Sequence, residues 1–181
     1  MKKKFILCFF INFSILLCGE ISLSISENLI NEYLKTVGEF KTSSKKNNKI
    51  EWTINNPKVK LDNNEAIFLA KAIYRNGLVN IRKDIKINLK VKYNLKKNIV
   101  NLVFENSIIN MERRNVILGS LDLKEIYEPK LIFNGPNLKN KHFKLNLNKK
   151  RKINIKPDFA EIFIENKKIE LIITVSFSEK N

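Results

Sequence analysis

The chain has 181 residues, 44% of them apolar and 29% charged, with 34 Lys+Arg against 18 Asp+Glu and a formal net charge of +16. That length is enough for one domain with a real hydrophobic core and no need of covalent staples. Two cysteines, one histidine and five glycines leave no paired-cysteine metal spacing, no histidine-rich metal helix and no glycine-rich phosphate loop.

The first nineteen residues read as a leader: Lys2, Lys3 and Lys4, a 13-residue apolar run from Phe5 to Leu17, then Cys18 and Gly19. A basic start, a short apolar stretch and small residues at the end form a secretory signal peptide. The run is well short of the roughly 20 residues that span a bilayer as a helix. The expected organisation is therefore a signal peptide over residues 1–19 and one α+β domain over residues 20–181. The expected location is exported, in the periplasm or on a membrane of the cell envelope. Cys18 is a lipidation candidate, but Leu17 before it is larger than the small residue such sites prefer, which favours simple cleavage. With Cys8 inside the leader, the mature domain has no disulfide.

Ile21, Leu23 and Ile25 alternate along a short strand. Ser26 then suits a helix N-cap, Glu27 suits the positive end of the helix dipole, and Gly38 suits the stop. Between them Leu29, Ile30, Tyr33, Leu34 and Val37 form an amphipathic stripe, so a helix is predicted over Glu27–Val37. Lys41–Lys49 reads as a polar loop. Beyond it the period changes from 3.6 to 2. Ile50, Trp52 and Ile54 alternate up to an expected turn at Asn55-Asn56-Pro57, followed by Val59 and Leu61 and a turn at Asp62–Asn64. Glu65–Arg75 leans to a buried strand, and Asn76-Gly77 signals a hairpin.

The clearest element follows. Ile85, Ile87, Leu89, Val91, Tyr93 and Leu95 alternate with Lys86, Asn88, Lys90, Lys92 and Asn94, giving a long strand with one dry face and one lysine-covered face. Ile99–Met111 is expected to return as one strand. Val116–Tyr127 is ambiguous, with Gly119 against a helix. Leu131–Phe133, Phe143–Leu147 and Ile153–Ile155 are further strands, and Ala160–Glu165 and Lys168–Phe177 close the chain as a hairpin around Asn166-Lys167. The fold class is α+β: a long, curved, mostly antiparallel sheet with one N-terminal amphipathic helix packed on its apolar face.

Catalytic chemistry has little to stand on. His142 is the only histidine and sits among Lys139, Lys141 and Lys144, and no spacing singles out a carboxylate pair. The reading is of a protein that is not an enzyme and holds no cofactor or metal. The basic excess points to phosphate-bearing partners. Only five of the 34 basic residues are arginine, and arginine is the usual reader of bases, so nucleic acid is set aside in favour of a lipid or an anionic membrane surface. Abundant lysine, asparagine and isoleucine also fit an A/T-rich coding sequence. The densest basic cluster, Lys139, Lys141, Lys144, Lys149, Lys150, Arg151 and Lys152, is the candidate contact with that surface. Leu29, Tyr33 and Val37 on the helix, with Ile85, Ile87, Leu89 and Val91 on the long strand, are the candidate lining of an apolar groove.

The order of "ISLSISENLINEYLKTVGEF", "IEWTINNPKVKL", "AIFLAKAI" and "IKINLKVKYNLKKNIVNLVFENSII" resembles the YceB-type bacterial lipoproteins, small members of the tubular lipid-binding (BPI-like) superfamily. The resemblance covers about residues 20–112. It implies a highly curved antiparallel sheet wrapped around a helix, and a role in binding or carrying a lipid or other hydrophobic molecule in the envelope. The family would place a second, longer helix after Met111, where this chain offers only Val116–Tyr127. The alternative reading is a structural or adaptor module that binds another envelope protein through a sheet edge or its basic tip, a lipopolysaccharide-transport-like bridge being one version.

Overall fold

The computed structural model describes residues 18–43, 50–138, 141–144 and 150–179, with side chains for residues 19–43, 50–138 and 155–178. Strand β1 (Cys18–Ser26) runs straight into helix α1 (Glu27–Val37). The helix starts where Ser26 Oγ accepts the Leu29 N–H at 3.2 Å. It ends at Gly38, whose φ of 76° suits glycine and whose N–H donates to the Leu34 carbonyl at 3.1 Å. Both ends are where the sequence places them.

Every strand pairing is antiparallel. A six-stranded sheet takes the order β2 (Phe40–Ser43), β3 (Ile50–Asp62), β4 (Glu65–Asn76), β5 (Val79–Asn94), β6 (Ile99–Phe104) and β9 (Ile132–Asn134). It is curled like half a barrel. Between β6 and β9 the chain forms the hairpin of β7 (Ile108–Arg113) and β8 (Val116–Asp122), the short helix α2 (Leu123–Tyr127) and a 3-10 turn at Glu128–Lys130. A four-stranded sheet of order β1-β12-β11-β10 completes the fold, from β10 (Lys141–Lys144), β11 (Lys150–Glu165) and β12 (Lys168–Glu179). At one edge of this sheet the first described strand meets the last: β1 pairs with β12 from Cys18↔Ser176 to Ser26↔Lys168.

Five sequence expectations change. The polar loop at Lys41–Lys49 begins as strand β2, whose Phe40–Ser43 pairs with Glu51–Ile54; residues 44–49 lie outside the described residues. Asn55-Asn56-Pro57 is a bulge inside β3, not a turn, because the ladder to β4 passes from Asn55↔Lys71 to Lys58↔Leu69 with Asn56 at φ 52°. Pro57 fits there since β2 stops opposite Ile54, so the missing N–H breaks no bond on that edge. The return strand breaks at Glu105–Ser107. β6 leaves β5 after Phe104↔Leu89, and β7 swings away to pair with β8. Finally, Ile153–Ile155 and Ala160–Glu165 are one strand, β11, with a bulge between Pro157 and Phe159. The strand expected over Phe143–Leu147 is Lys141–Lys144, and residues 145–149 lie outside the described residues.

One core serves all of this. Ile30 and Leu34 of α1, Phe68 and Tyr74 of β4, Leu102 of β6, Tyr127 of α2 and Ile169, Leu171 and Ile173 of β12 are fully buried in a single cluster. β4 alternates Ala66, Phe68, Ala70, Ala72 and Tyr74 towards it, small residues leaving room for large neighbours. Phe68 meets Phe104 edge-on and Tyr127 at a tilt, each with 5.1 Å between ring centres. Gly119 on β8 lies over the Trp52–Tyr74 pair. A Cβ there would fall 2.8 Å from the Tyr74 ring and 3.3 Å from Trp52, so the close crossing needs glycine.

Candidate ligand-binding surfaces

The rotation of α1 decides which side chains face inward. Asn31 lies beside the edge of β3 that β2 leaves free. Its amide donates to the Val59 carbonyl at 2.9 Å and accepts the Val59 N–H at 2.7 Å. One turn earlier, Glu27 accepts the Leu61 N–H at 2.7 Å. Two polar side chains at i and i+4 thus finish a strand edge with three hydrogen bonds. Glu27, expected only to suit the helix dipole, also braces β3.

That anchoring turns Ile30 and Leu34 fully inward and leaves Leu29 56% and Tyr33 43% exposed, with Val37 half-buried. Three of the seven lining candidates therefore stand on the flank of the helix, not on its buried face. Tyr33 is not idle there. Its ring meets Phe133 of β9 edge-on, 6.3 Å between centres. The helix so touches β3 near one end of the six-stranded sheet and β9 at the other.

The four strand candidates behave as their alternation requires. Ile85 and Leu89 are buried in the core, and Ile87 and Val91 are half-buried against it. Inside this apolar region one polar atom stands out. The Tyr127 hydroxyl is buried with no hydrogen-bond partner among the described residues, and burial pushes its pKa up to about 12. Lys130 Nζ lies 5.5 Å from the centre of the same ring.

Among the described residues clefts open at the surface, and three of them bear on binding. The first, about 390 Å³, lies where β6 leaves β5, with Ile85, Ile87, Ile108 and Ile109 as apolar lining and Lys83, Lys86 and Glu105 among the charged residues. Here β5 has no strand partner beyond Leu89 on its β6 side among the described residues; Glu105 N–H on the Asn88 carbonyl, 3.1 Å, is the last rung. The second, about 630 Å³, runs between α1 and the β3 bulge and is largely polar, with Glu27, Asn31, Lys35 and Lys58 on its walls. The third, about 260 Å³, lies along β2 and β3.

The basic cluster is only partly in view. Lys139 and Lys149 lie outside the described residues, and Lys141, Lys144, Lys150, Arg151 and Lys152 are placed by backbone alone. The β10–β11 register sets Phe143 opposite Arg151 and Lys144 opposite Lys150. Cys18, the lipidation candidate, is the first residue of β1, two before the expected domain boundary. Gly19 beside it is packed: a Cβ there would meet the Phe177 ring at 2.7 Å. A mature chain starting at Cys18 keeps two rungs of the β1–β12 ladder that one starting at Glu20 loses.

No group of three or more His, Cys, Asp or Glu is placed to hold a metal ion, and no helix is long and apolar enough to cross a membrane, among the described residues. The chain matches no protein-family model, no curated protein and no solved structure.

Proposed function

We propose that this is an exported, non-catalytic binding protein of the cell envelope whose ligand is a lipid or another hydrophobic molecule. The YceB-type resemblance of residues 20–112 and the leader-like first nineteen residues support the location and the class. In this reading α1 is the cover on the apolar face of the curled sheet, and the ligand enters along the flank where Leu29 and Tyr33 stand exposed.

The carrying observation is how α1 is held on that side. Towards β3 it is fixed by three side-chain hydrogen bonds, and towards β9 it meets Phe133 through one aromatic edge contact. An edge-to-face pair contributes about 0.5–1.5 kcal/mol beyond its burial, small enough to open for a ligand. The unpaired Tyr127 hydroxyl supplies a polar partner inside the apolar region, the single polar anchor such ligand sites use.

The test is uptake of an environment-sensitive fluorescent acyl-chain probe. Saturable uptake with blue-shifted emission, faster in Tyr33→Ala, supports the reading. No uptake by either protein sinks it. A second reading has its own observation. The unpaired stretch of β5 beside the first cleft is the kind of edge through which an adaptor adds a strand from another envelope protein. Lys83 and Asp84 at that edge are the charges that ordinarily keep it unpaired, so the lipid reading stands first.

A further inference from the structure

We infer that the outer face of the six-stranded sheet, over β3, β4 and β5, is a docking face for an anionic lipid bilayer. The register builds it row by row. Lys58, Leu69 and Lys86 lie side by side across three strands, and Lys60, Ile67 and Asn88 form the next row. Lys90 and Lys92 continue along β5 beside Val103 and Asn101. Lys58, Lys60, Lys86, Lys90 and Lys92 are all exposed.

Acids match them only in part: Asp84 lies beside Lys71, and Glu65 beside Asp62, on the same face. Lys60 pairs with Asp62 at 3.4 Å and Lys90 with Glu105 at 3.3 Å, whereas Lys58, Lys86 and Lys92 have no ion-pair partner among the described residues. Lysine stems do shield Ile67 and Leu69 from water, as long side chains do on a wet sheet face. Shielding alone needs no excess of positive heads, since glutamate or glutamine stems would serve.

Composition alone does not make this face either. The outer face of the four-stranded sheet, in the same lysine-rich chain, carries Glu20, Glu161, Glu165 and Glu170. Its lysines there include Lys156, exposed beside Ser176, and Lys168, which is held by Glu165 at 2.8 Å and Glu170 at 3.0 Å. The end of that face beside the Asn166-Lys167 hairpin, with Glu161, Glu165 and Glu170, thus carries more acid than base, and an anionic plane attracts the β3–β5 face more strongly than it attracts that end. The occupant is a bilayer and not a nucleic acid because these heads are lysine ammoniums, point charges suited to phosphate head groups, without the arginine forks that read bases. This docking stands whether or not a lipid enters the fold.

The experiment is co-flotation of the full mature protein with vesicles of phosphatidylglycerol and phosphatidylcholine, against vesicles of phosphatidylcholine alone. The wild type floats with the anionic vesicles only and is released as salt is raised. The variant Lys58→Gln/Lys86→Gln/Lys90→Gln/Lys92→Gln binds roughly 1,000-fold more weakly, at about a fivefold loss for each lysine near a charged surface. The variant Lys97→Gln/Arg113→Gln/Lys124→Gln/Lys167→Gln loses the same net charge elsewhere and stays within about threefold of wild type. Circular dichroism checks that each is folded; should the first quadruple fail, Lys86→Gln/Lys92→Gln is scored instead, with about a 30-fold loss expected. Equal weakening in both sets, or no preference of the wild type for anionic vesicles, overturns the proposal. Unchanged binding in the face variants overturns it too, and moves the contact to the Lys139–Lys152 tip.

Discussion

At the scale of single residues, two positions make opposite demands. Gly119 is a glycine because β8 crosses the Trp52–Tyr74 pair with no room for a methyl group. We expect Gly119→Ala to lower the stability by about 1–3 kcal/mol, the usual cost of overpacking, in urea unfolding. Tyr127 buries a hydroxyl without a partner. Tyr127→Phe should therefore be neutral or stabilising in the free protein, since no bond is lost and the cost of burying the hydroxyl, about 1–3 kcal/mol, is relieved. The same substitution should weaken binding of any ligand that hydrogen-bonds there. A drop in stability, measured the same way, would mean that the hydroxyl is already satisfied.

At the scale of elements, the rotation of α1 is the testable point. Leu34→Ala removes a fully buried side chain and should cost about 2–5 kcal/mol, whereas Leu29→Ala, on the exposed flank, should stay within about 0.5 kcal/mol. Asn31→Ala leaves the Val59 N–H and carbonyl without their partners and should cost about 1–3 kcal/mol. Equal losses from the two leucines would contradict the rotation.

The same helix marks what could be read in advance. Its ends were legible because Ser26 and Gly38 are local signals. Its inward face was not, because the Leu29–Tyr33 and Ile30–Leu34 pairs are equally apolar and the choice between them lies with Asn31 and Glu27. The cue was there: two polar residues at i and i+4 beside an apolar pair. Alternation showed β5, and a continuous apolar run leaned to β4 as a strand. It could not show that Asn-Asn-Pro is a bulge, since an Asn at positive φ before proline serves a turn and a bulge alike. Nor could it show that β1 lies against β12, a pairing between the first and last described strands that no local pattern announces. Of the candidate site, the dry face of β5 was legible, whereas the exposure of Leu29 and Tyr33 on the flank of the helix was not.

At the scale of the whole molecule, charge governs the response to pH. Asp122 is held below the ordinary carboxylate range by the Ser107 hydroxyl and then the Lys124 N–H, and Asp62 by the Asn63 N–H and then Lys60. Glu165 is lowered by its hydrogen bond to Lys168. Carboxyls with depressed folded pKa values contribute fully above the unfolded value, about 4, and lose that contribution as pH falls through the folded one. Lys168 is raised, by Glu165 first and then Glu170, so its contribution is complete below the unfolded lysine value and is lost as pH rises through the folded one. Below about pH 4 the 18 acids also stop offsetting the 34 Lys+Arg, and self-repulsion grows. Thermal melts should show a plateau from about pH 5 to 9 and a clear fall in Tm below about pH 4, eased by added salt. Stability that rises on acidification would contradict this account.

The central claim is that the curled sheet and its helix hold a hydrophobic ligand. Native mass spectrometry tests it most directly, on the mature protein purified gently from a cellular host and then extracted with solvent. The account predicts adducts of lipid mass that vanish on denaturation and reappear as lipid in the extract. A clean mass of the protein alone, with no uptake when lipids are offered, would contradict it and leave the edge of β5 as the working surface.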